Sequence, residues 1–362
     1  MSDPKPSEVD PGSNIIISVD AMGGDSGPGA VIAGLSIALK SYPNIKYLVH
    51  GQKNLLQNLV QQENLGQVCT IIDADRVVSM NDKPSQVMRS GKGTSMWSAI
   101  SSVKQEKADA CVSCGNTGAL LAVSMVRLRM IPGINRPAIS ILWPSLGSNG
   151  FNVMLDVGAD IRADENDLLQ FALMGSSYSR NGFGIENPKV GLLNVGTEEH
   201  KGRPELKLAY DLISAAANYG GFEFIGFVEG NDIPSSKVDV IVTDGFTGNI
   251  ALKCAEGTAS FIGSALKDAF RYNLLSRIVA LVANAPLRRL KKTTDPRRVN
   301  GGVFLGLNGI VVKSHGAADP TAVAAAVSLA YRLAAAKFNS RLAARVASSL
   351  SLIHISEPTR LV

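Results

Sequence analysis

Five times along the chain a short β-branched run ends in a loop of Gly, Asn, Asp and Thr and then gives way to a helical pattern. The first run, 15–20, leads into Ala21-Met22-Gly23-Gly24-Asp25-Ser26-Gly27-Pro28-Gly29, where Pro28 suits a first helical turn. Run 110–114 leads into Gly115-Asn116-Thr117-Gly118 and a helical stretch over 119–129, and run 151–156 leads into Val157-Gly158-Ala159-Asp160. Run 190–195 precedes Gly196-Thr197-Glu198-Glu199-His200-Lys201-Gly202, and run 238–243 precedes Asp244-Gly245-Phe246-Thr247-Gly248-Asn249 and a helix. Strands alternating with helices predict a three-layer α/β/α fold with a largely parallel sheet. In such sheets ligands sit outside the carboxyl ends of the strands, so convergence of the five loops predicts a cleft there.

Aromatic residues make up 6% of the chain while Gly reaches 35 residues, which suits tight loops between strands and helices better than a β-sandwich. No apolar run has membrane-spanning length. The start, Met1-Ser2-Asp3-Pro4-Lys5-Pro6-Ser7-Glu8, is polar without an apolar signal core, so a cytoplasmic protein is expected. The expected organisation is a disordered lead over 1–13, a catalytic α/β domain over 14–345 and a tail over 346–362. The end of that tail, 351–362, reads as a translated cloning extension or as an ordinary frayed terminus.

Cys69, Cys111, Cys114 and Cys254 are too few and too scattered for a disulfide framework. Cys111 and Cys114 form a C-x-x-C, but a metal needs about four ligands and no second pair lies nearby. A redox dithiol belongs at a helix start, whereas Cys111 sits inside a strand pattern, so small residues packing at a strand end is the expectation. Neither a metal nor a cofactor is expected.

Net charge is +5, and residues 267–298 carry nine basic against two acidic residues, which leaves the rest of the chain at −2. One segment therefore carries the whole excess, a pattern suited to an acidic partner or an anionic membrane surface. Its cations include Arg271, Arg277, Arg288, Arg289, Lys291 and Lys292. Just before and within it, Ile262, Leu266, Phe270, Leu274, Ile278 and Leu281 recur at helical spacing. An amphipathic helical projection over about 260–300 lying in a bilayer interface fits this pattern; so does a core helix followed by a solvated basic loop.

Backbone N–H groups presented by Gly and small residues at a helix start form an anion site without a Lys. That arrangement recurs at Gly23-Gly24, Gly115-Asn116-Thr117-Gly118 and Thr247-Gly248-Asn249, and a loop over 83–95 adds Arg89 and Lys92. One Gly-rich turn is usually only a turn; several in one sheet carry more weight. The chain has no G-x-x-x-x-G-K-[ST], no G-x-G-x-x-G after the first strand, no G-x-S-x-G and no H-E-x-x-H. ATP hydrolysis, dinucleotide redox and serine-esterase chemistry lose support, and no nucleic-acid partner is expected. Phosphate bound without nucleotide or metal can itself be the nucleophile, attacking an activated carbonyl whose oxyanion N–H donors stabilise. Asn249, at a helix start, is placed to donate to that oxyanion, and Lys201 to balance charge on phosphate or on a departing thiolate. Of the four His, His200 and His315 stand in candidate loops.

Ser18-Val19-Asp20-Ala21-Met22-Gly23-Gly24-Asp25, Gly115-Asn116-Thr117-Gly118-Ala119, Ile134-Asn135-Arg136-Pro137-Ala138, Leu155-Asp156-Val157-Gly158-Ala159, 240–249 and Val312-Lys313-Ser314-His315-Gly316 resemble the bacterial acyl-carrier-protein:phosphate acyltransferase family. The resemblance runs from about residue 15 to residue 336. It implies formation of acyl phosphate from long-chain acyl-carrier protein and inorganic phosphate, for use by a membrane glycerol-3-phosphate acyltransferase in phospholipid synthesis. It also implies a fold like isocitrate dehydrogenase and phosphotransacetylase, a homodimer, and peripheral membrane association through a helical projection. Lys201 and Asn249 are then the expected catalytic residues. The phosphate- and substrate-binding candidates are Asp20, Gly23, Gly24, Asp25, Arg89, Lys92, Asn116, Thr117, Arg136, Asp156, Asn194, Glu199, Asp244, Gly245, Thr247, Gly248 and His315. The family usually has a small residue where Cys114 stands, which weakens a redox reading further. Two other functions compete: a phosphotransacetylase acting on short acyl-CoA, and a non-catalytic peripheral scaffold.

Overall fold

A computed structural model describes residues 14–198, 200–273, 276, 279, 280, 283, 287 and 301–356. The lead over 1–13, Glu199, the basic residues Arg277, Arg288, Arg289, Lys291 and Lys292, and the last six residues of the tail lie outside the described residues.

Eleven strands form one sheet: β1 (Ile16–Asp20), β2 (Lys46–Gly51), β3 (Cys69–Asp73), β4 (Ala110–Ser113), β5 (Ala138–Pro144), β6 (Phe151–Leu155), β7 (Lys189–Leu193), β8 (Glu223–Val228), β9 (Val240–Val242), β10 (Gly302–Leu305) and β11 (Ile310–Lys313). Ten helices accompany them among the described residues: α1 (Gly27–Ser41), α2 (Lys53–Gln62), α3 (Pro84–Ser90), α4 (Ser95–Lys104), α5 (Thr117–Leu128), α6 (Glu165–Phe183), α7 (Pro204–Gly220), α8 (Gly245–Arg271), α9 (Pro320–Ala335) and α10 (Phe338–Ser356). The strand order is β3-β2-β1-β4-β11-β10-β5-β6-β9-β7-β8. The five strands expected from sequence are β1, β4, β6, β7 and β9, each followed by its polar loop.

Alternation along the strands sends side chains into two cores, one on each face of the sheet. Ile17, Val19, Val153, Leu155, Val190 and Val240 pack under α1, α6, α7 and α9, whereas Cys111 and Val311 belong to the core under α4 and α5, which continues to Met154 and Ile241 beside Ala251 and Leu252 of α8. Cys111 and Cys114 fall in different cores, both buried, and burial pushes the Cys114 thiol up to about 11. Thiols held so far from the thiolate form pack as small apolar groups.

Three antiparallel pairings divide the sheet. β3, β2, β1, β4 and β11 run parallel, as do β6, β9, β7 and β8. Between them β10 pairs antiparallel with β11 and β5, and β5 antiparallel with β6. The blocks therefore have opposite polarity. The polar loops fall into two sets, one per block, where the strand pattern alone predicts a single converging set. Three successive reversals, the hairpins β10–β11 and β5–β6 and the antiparallel pairing of β10 with β5, are the cause, since an odd number of reversals leaves the two parallel blocks opposed.

The 27 residues of α8 bury only Gly245 and Gly248. Phe261 is 73% exposed and Ile262 51%, so this stretch projects from the domain and the reading of it as a core helix is excluded. No single helix among the described residues is long and apolar enough to cross a membrane. At the other end α10 continues through residue 346, where the tail was expected to begin, and Val346 is buried against the core. Residues 83–95, expected as a loop, hold the short helix α3.

His50, at the end of β2, is buried between Ser18 and Ser98, with Nε2 2.9 Å from Ser18 Oγ and Nδ1 2.9 Å from Ser98 Oγ. Ser18 Oγ donates to the Ala99 carbonyl, so it accepts from His50 Nε2–H, and the ring is neutral. Burial pushes the imidazole down to about 4 from its ordinary 6.5. The unfolded chain then binds the extra proton between those values, so stability is full above pH 6.5 and falls on acidification toward pH 4. Denaturant titrations at pH 7 and pH 4.5 are expected to show a loss of up to ~3 kcal/mol from this group, and His50→Gln should flatten that slope.

Candidate functional site: two sets of polar loops

The first set closes over the ends of β1, β4 and β11. Ser113 Oγ donates to Asp20 Oδ2 at 2.7 Å and accepts from Gly115 N at 3.0 Å, tying the loop after β4 to the end of β1. Asp25 N donates to Gly316 O at 2.8 Å and joins the loop after β1 to the loop after β11. A Cβ on Gly23 would sit 2.4 Å from Asp20 Oδ2 and 3.0 Å from the Gly115 Cα, so this approach requires glycine. Burial raises the Asp20 carboxyl above its ordinary range, partly offset by the Ser113 hydroxyl.

Asn116, expected to touch phosphate, is engaged within the fold. It caps α5 by accepting from Ala119 N at 3.1 Å, and its amide donates to Met80 O and Asp82 O at 2.8 and 3.0 Å. What it presents to solvent is the start of α5 at Thr117 and Gly118, both exposed. Arg89 and Lys92 have exposed side chains, and the Lys92 carbonyl accepts from Arg76 Nη1 at 3.2 Å. His315 is exposed and its Nδ1 accepts from Ala317 N at 3.2 Å.

The second set lies at the ends of β6, β7 and β9. Asp156 is buried and accepts four backbone N–H groups, from Ile139, Gly158, Ala159 and Asp160, at 2.7 to 3.1 Å. Such a carboxylate organises a turn and has no oxygen left for a ligand. Asp244 is equally engaged: Oδ1 caps α8 by accepting from Thr247 N at 2.8 Å, and Oδ2 pairs with Arg203. Gly245 N donates to Asp160 O at 2.8 Å, and a Cβ on Gly248 would stand 1.9 Å from Asp156 O. Arg136 pairs with Asp160 at 3.2 Å and with Asp167 at 3.7 Å. Asn194 donates to Lys201 O at 3.2 Å and accepts from Val195 N at 2.9 Å. Six of the predicted ligand residues, Asn116, Arg136, Asp156, Asn194, Asp244 and Gly245, thus serve as the frame of the loops.

Asn249 is not so engaged. It lies in the second turn of α8 and lines a cleft of about 640 Å³ with Gly158, Ile161, Phe246, Ile250 and Lys253. Its amide Nδ2 faces Gly158, where an added Cβ would approach it to 3.5 Å. Lys253, one turn further along the same helix face, brings a cation to this cleft and pairs with Glu256 at 2.7 Å. Sequence reasoning passed over it, although the i, i+4 spacing from Asn249 carried the signal. Lys201 does not line this cleft. Its ammonium pairs with Glu198 at 2.7 Å, and the hydrogen bond holds the amine pKa up and the carboxyl pKa down. Arg203, two residues on, anchors that loop to the start of α8 through Asp244. Lys313 and Ser113 were likewise not assigned to a site; their signal was their place at the strand ends.

A family model described as fatty acid synthesis protein matches residues 15–341. A phosphate acyltransferase of Paracoccus denitrificans is 61% identical over 341 residues, 94% of this chain and 92% of that protein. One of Dinoroseobacter shibae is 65% identical over 336 residues, covering 92% and 87%. Among solved structures, a phosphotransacetylase from Streptococcus pyogenes superposes with a TM-score of 0.59 at 17% identity, over 89% of this chain and 94% of that one. A phosphotransacetylase from Staphylococcus aureus gives 0.57 at 17% identity, over 90% and 94%. At that identity the structural likeness establishes the fold.

Proposed function

The chain belongs to the phosphate acyltransferase family, an acyltransferase fold-mate of the phosphotransacetylases, and from that membership and its loop geometry we propose how it makes acyl phosphate from inorganic phosphate. The acyl donor is long-chain acyl-carrier protein. A phosphate oxygen attacks the thioester carbonyl carbon, the C–S bond breaks, and the carrier thiolate leaves and takes a proton from solvent. The backbone N–H groups at Gly23-Gly24 and at the start of α5 hold phosphate, and the attack requires this first set and the Asn249 cleft of the second to face one thioester. Asn249 donates to the oxyanion, and Lys201 balances the charge of the leaving thiolate.

The observation that carries this reading is Asn249: a side-chain amide near the start of a helix, lining a cleft beside Gly158, with the neighbouring carboxylates Asp156 and Asp244 already occupied by the frame. Incubating purified protein with palmitoyl-carrier protein and phosphate is expected to release free carrier protein and form palmitoyl phosphate. No release, beside an active control enzyme, rejects the reading; acetyl phosphate from acetyl-CoA would favour a short-chain phosphotransacetylase.

The protein works in the cytoplasm as a homodimer bound peripherally to anionic membrane, where a membrane glycerol-3-phosphate acyltransferase consumes its product. The exposed apolar residues Phe261, Ile262 and Leu266 and the cation Arg271 on the projecting α8 support membrane contact, as does the excess of cations over 267–298. Charge reversal at Arg288, Arg289, Lys291 and Lys292 is expected to weaken binding to vesicles containing anionic lipid, and added salt to mimic the loss. Vesicle sedimentation that responds to neither would remove the basic segment from the proposal.

A further inference from the structure

Lys313 ends β11 with its side chain buried, 8% exposed, among the loops of the first set. Its ammonium donates to Cys114 O at 3.3 Å, at the end of β4, and to its neighbour's carbonyl, Ser314 O. No carboxylate lies within ion-pair distance of it among the described residues. Asp20 on β1 and Asp25 in the loop after it face it at longer range, together with the Cys114 thiol, and His315 stands two residues on. Asp20 Oδ1 and Ser314 Oγ are buried close by without a hydrogen-bond partner among the described residues. A desolvated ammonium with only carbonyl partners costs stability, and an apolar side chain of equal length would pack there at lower cost. The charge therefore has a use other than holding the core together.

We infer that Lys313 is a positioning residue for phosphate: its buried ammonium holds the loops after β4 and β11 together so that the start of α5 and the loop after β1 face one anion. This rests on the first loop set being where phosphate binds. The cation also places positive charge behind those N–H groups and offsets Asp20, whose carboxylate would otherwise oppose an anion. Burial pushes the Lys313 amine down to about 8 from 10.5, with Cys114, Asp20 and Asp25 pulling it back up. Below pH 8 it is charged; above, it becomes a neutral amine.

The test measures phosphate KM and phosphate-induced thermal stabilisation from pH 7 to pH 9.5, where inorganic phosphate is essentially dianionic at the upper end. In the wild-type protein KM for phosphate is expected to rise and stabilisation to fall as pH passes about 8, with kcat less affected. Lys313→Met, if folded, should raise KM by about tenfold or more at pH 7 and lose the pH dependence. Lys313→Arg, charged throughout, should keep the lower KM at pH 9.5. A flat wild-type profile overturns the inference without any variant, as does a folded Lys313→Met with unchanged phosphate KM. The thermal readout needs no turnover, so phosphate stabilisation that depends on Lys313 in a protein forming no acyl phosphate would reject the proposed reaction and retain this role.

Discussion

Asn249→Ala is expected to lower kcat for acyl phosphate formation by about 10²- to 10³-fold, the usual effect of removing one oxyanion donor. The amide lines the cleft beside Gly158 and frames nothing else, so the loss should fall on the transition state and leave acyl-carrier KM little changed. Folding should be unaffected, because residue 249 is exposed and Ala is the better helix former. Asn249→Asp sharpens the measurement. It keeps the shape, replaces a donor with a negative charge, and should be at least as damaging as Ala. Steady-state release of carrier protein, with thermal unfolding in parallel, reads both effects. If Asn249→Ala turned over at the wild-type rate, the oxyanion would have to be held elsewhere, with the backbone at the start of α8 next in line.

Gly248→Ala should unfold or distort what Asn249→Ala leaves intact. The added methyl would lie 1.9 Å from the Asp156 carbonyl and 3.1 Å from a Thr243 methyl, and neither can step aside without moving β6 or β9. Backbone displacement of that size costs ~3 kcal/mol or more, and it pulls the first turn of α8 away from the turn that Asp156 organises. Both the unfolding midpoint and activity should drop. Gly257→Ala, in the exposed middle of the same helix with nothing within 4 Å of the new methyl, is the control. It should gain roughly 0.5–1 kcal/mol from helix propensity alone. Opposite signs for two Gly→Ala changes nine residues apart would locate the constraint in packing against Asp156.

The role of the polar loops was only partly legible. Gly, Asn, Asp and Thr after a strand announce a loop, and a loop follows each of the five strands. Sequence could not say which polar side chains face a ligand and which build the loop. Asp156 and Asp244 have the composition of ligands and the hydrogen bonds of frame. Asn116 and Asn194 show the same ambiguity, since an Asn serves a cap or a turn as readily as a substrate. Lys253 and Lys313 went the other way. Nothing local distinguishes them from other lysines until a helix face and a strand end place them.

By itself the sequence determined the alternation of strand and helix, the five loops at carboxyl ends, the burial of the strands and the amphipathic stripe over 262–281. All of these depend on side-chain period and on the local chemistry of Gly, Pro and Asn, which neighbours in the chain decide. Tertiary structure alone decided that β5 and β10 pair antiparallel, which splits the loops into two sets. It alone decided that α8 leaves the domain rather than covering the sheet. It also placed Asp156, Asp244, Asn116 and Asn194 on holding backbone, leaving Asn249 open to the cleft. Strand partners and the final acceptor of each hydrogen bond lie tens to hundreds of residues away, as Lys313 and Cys114 do, and no local pattern encodes them.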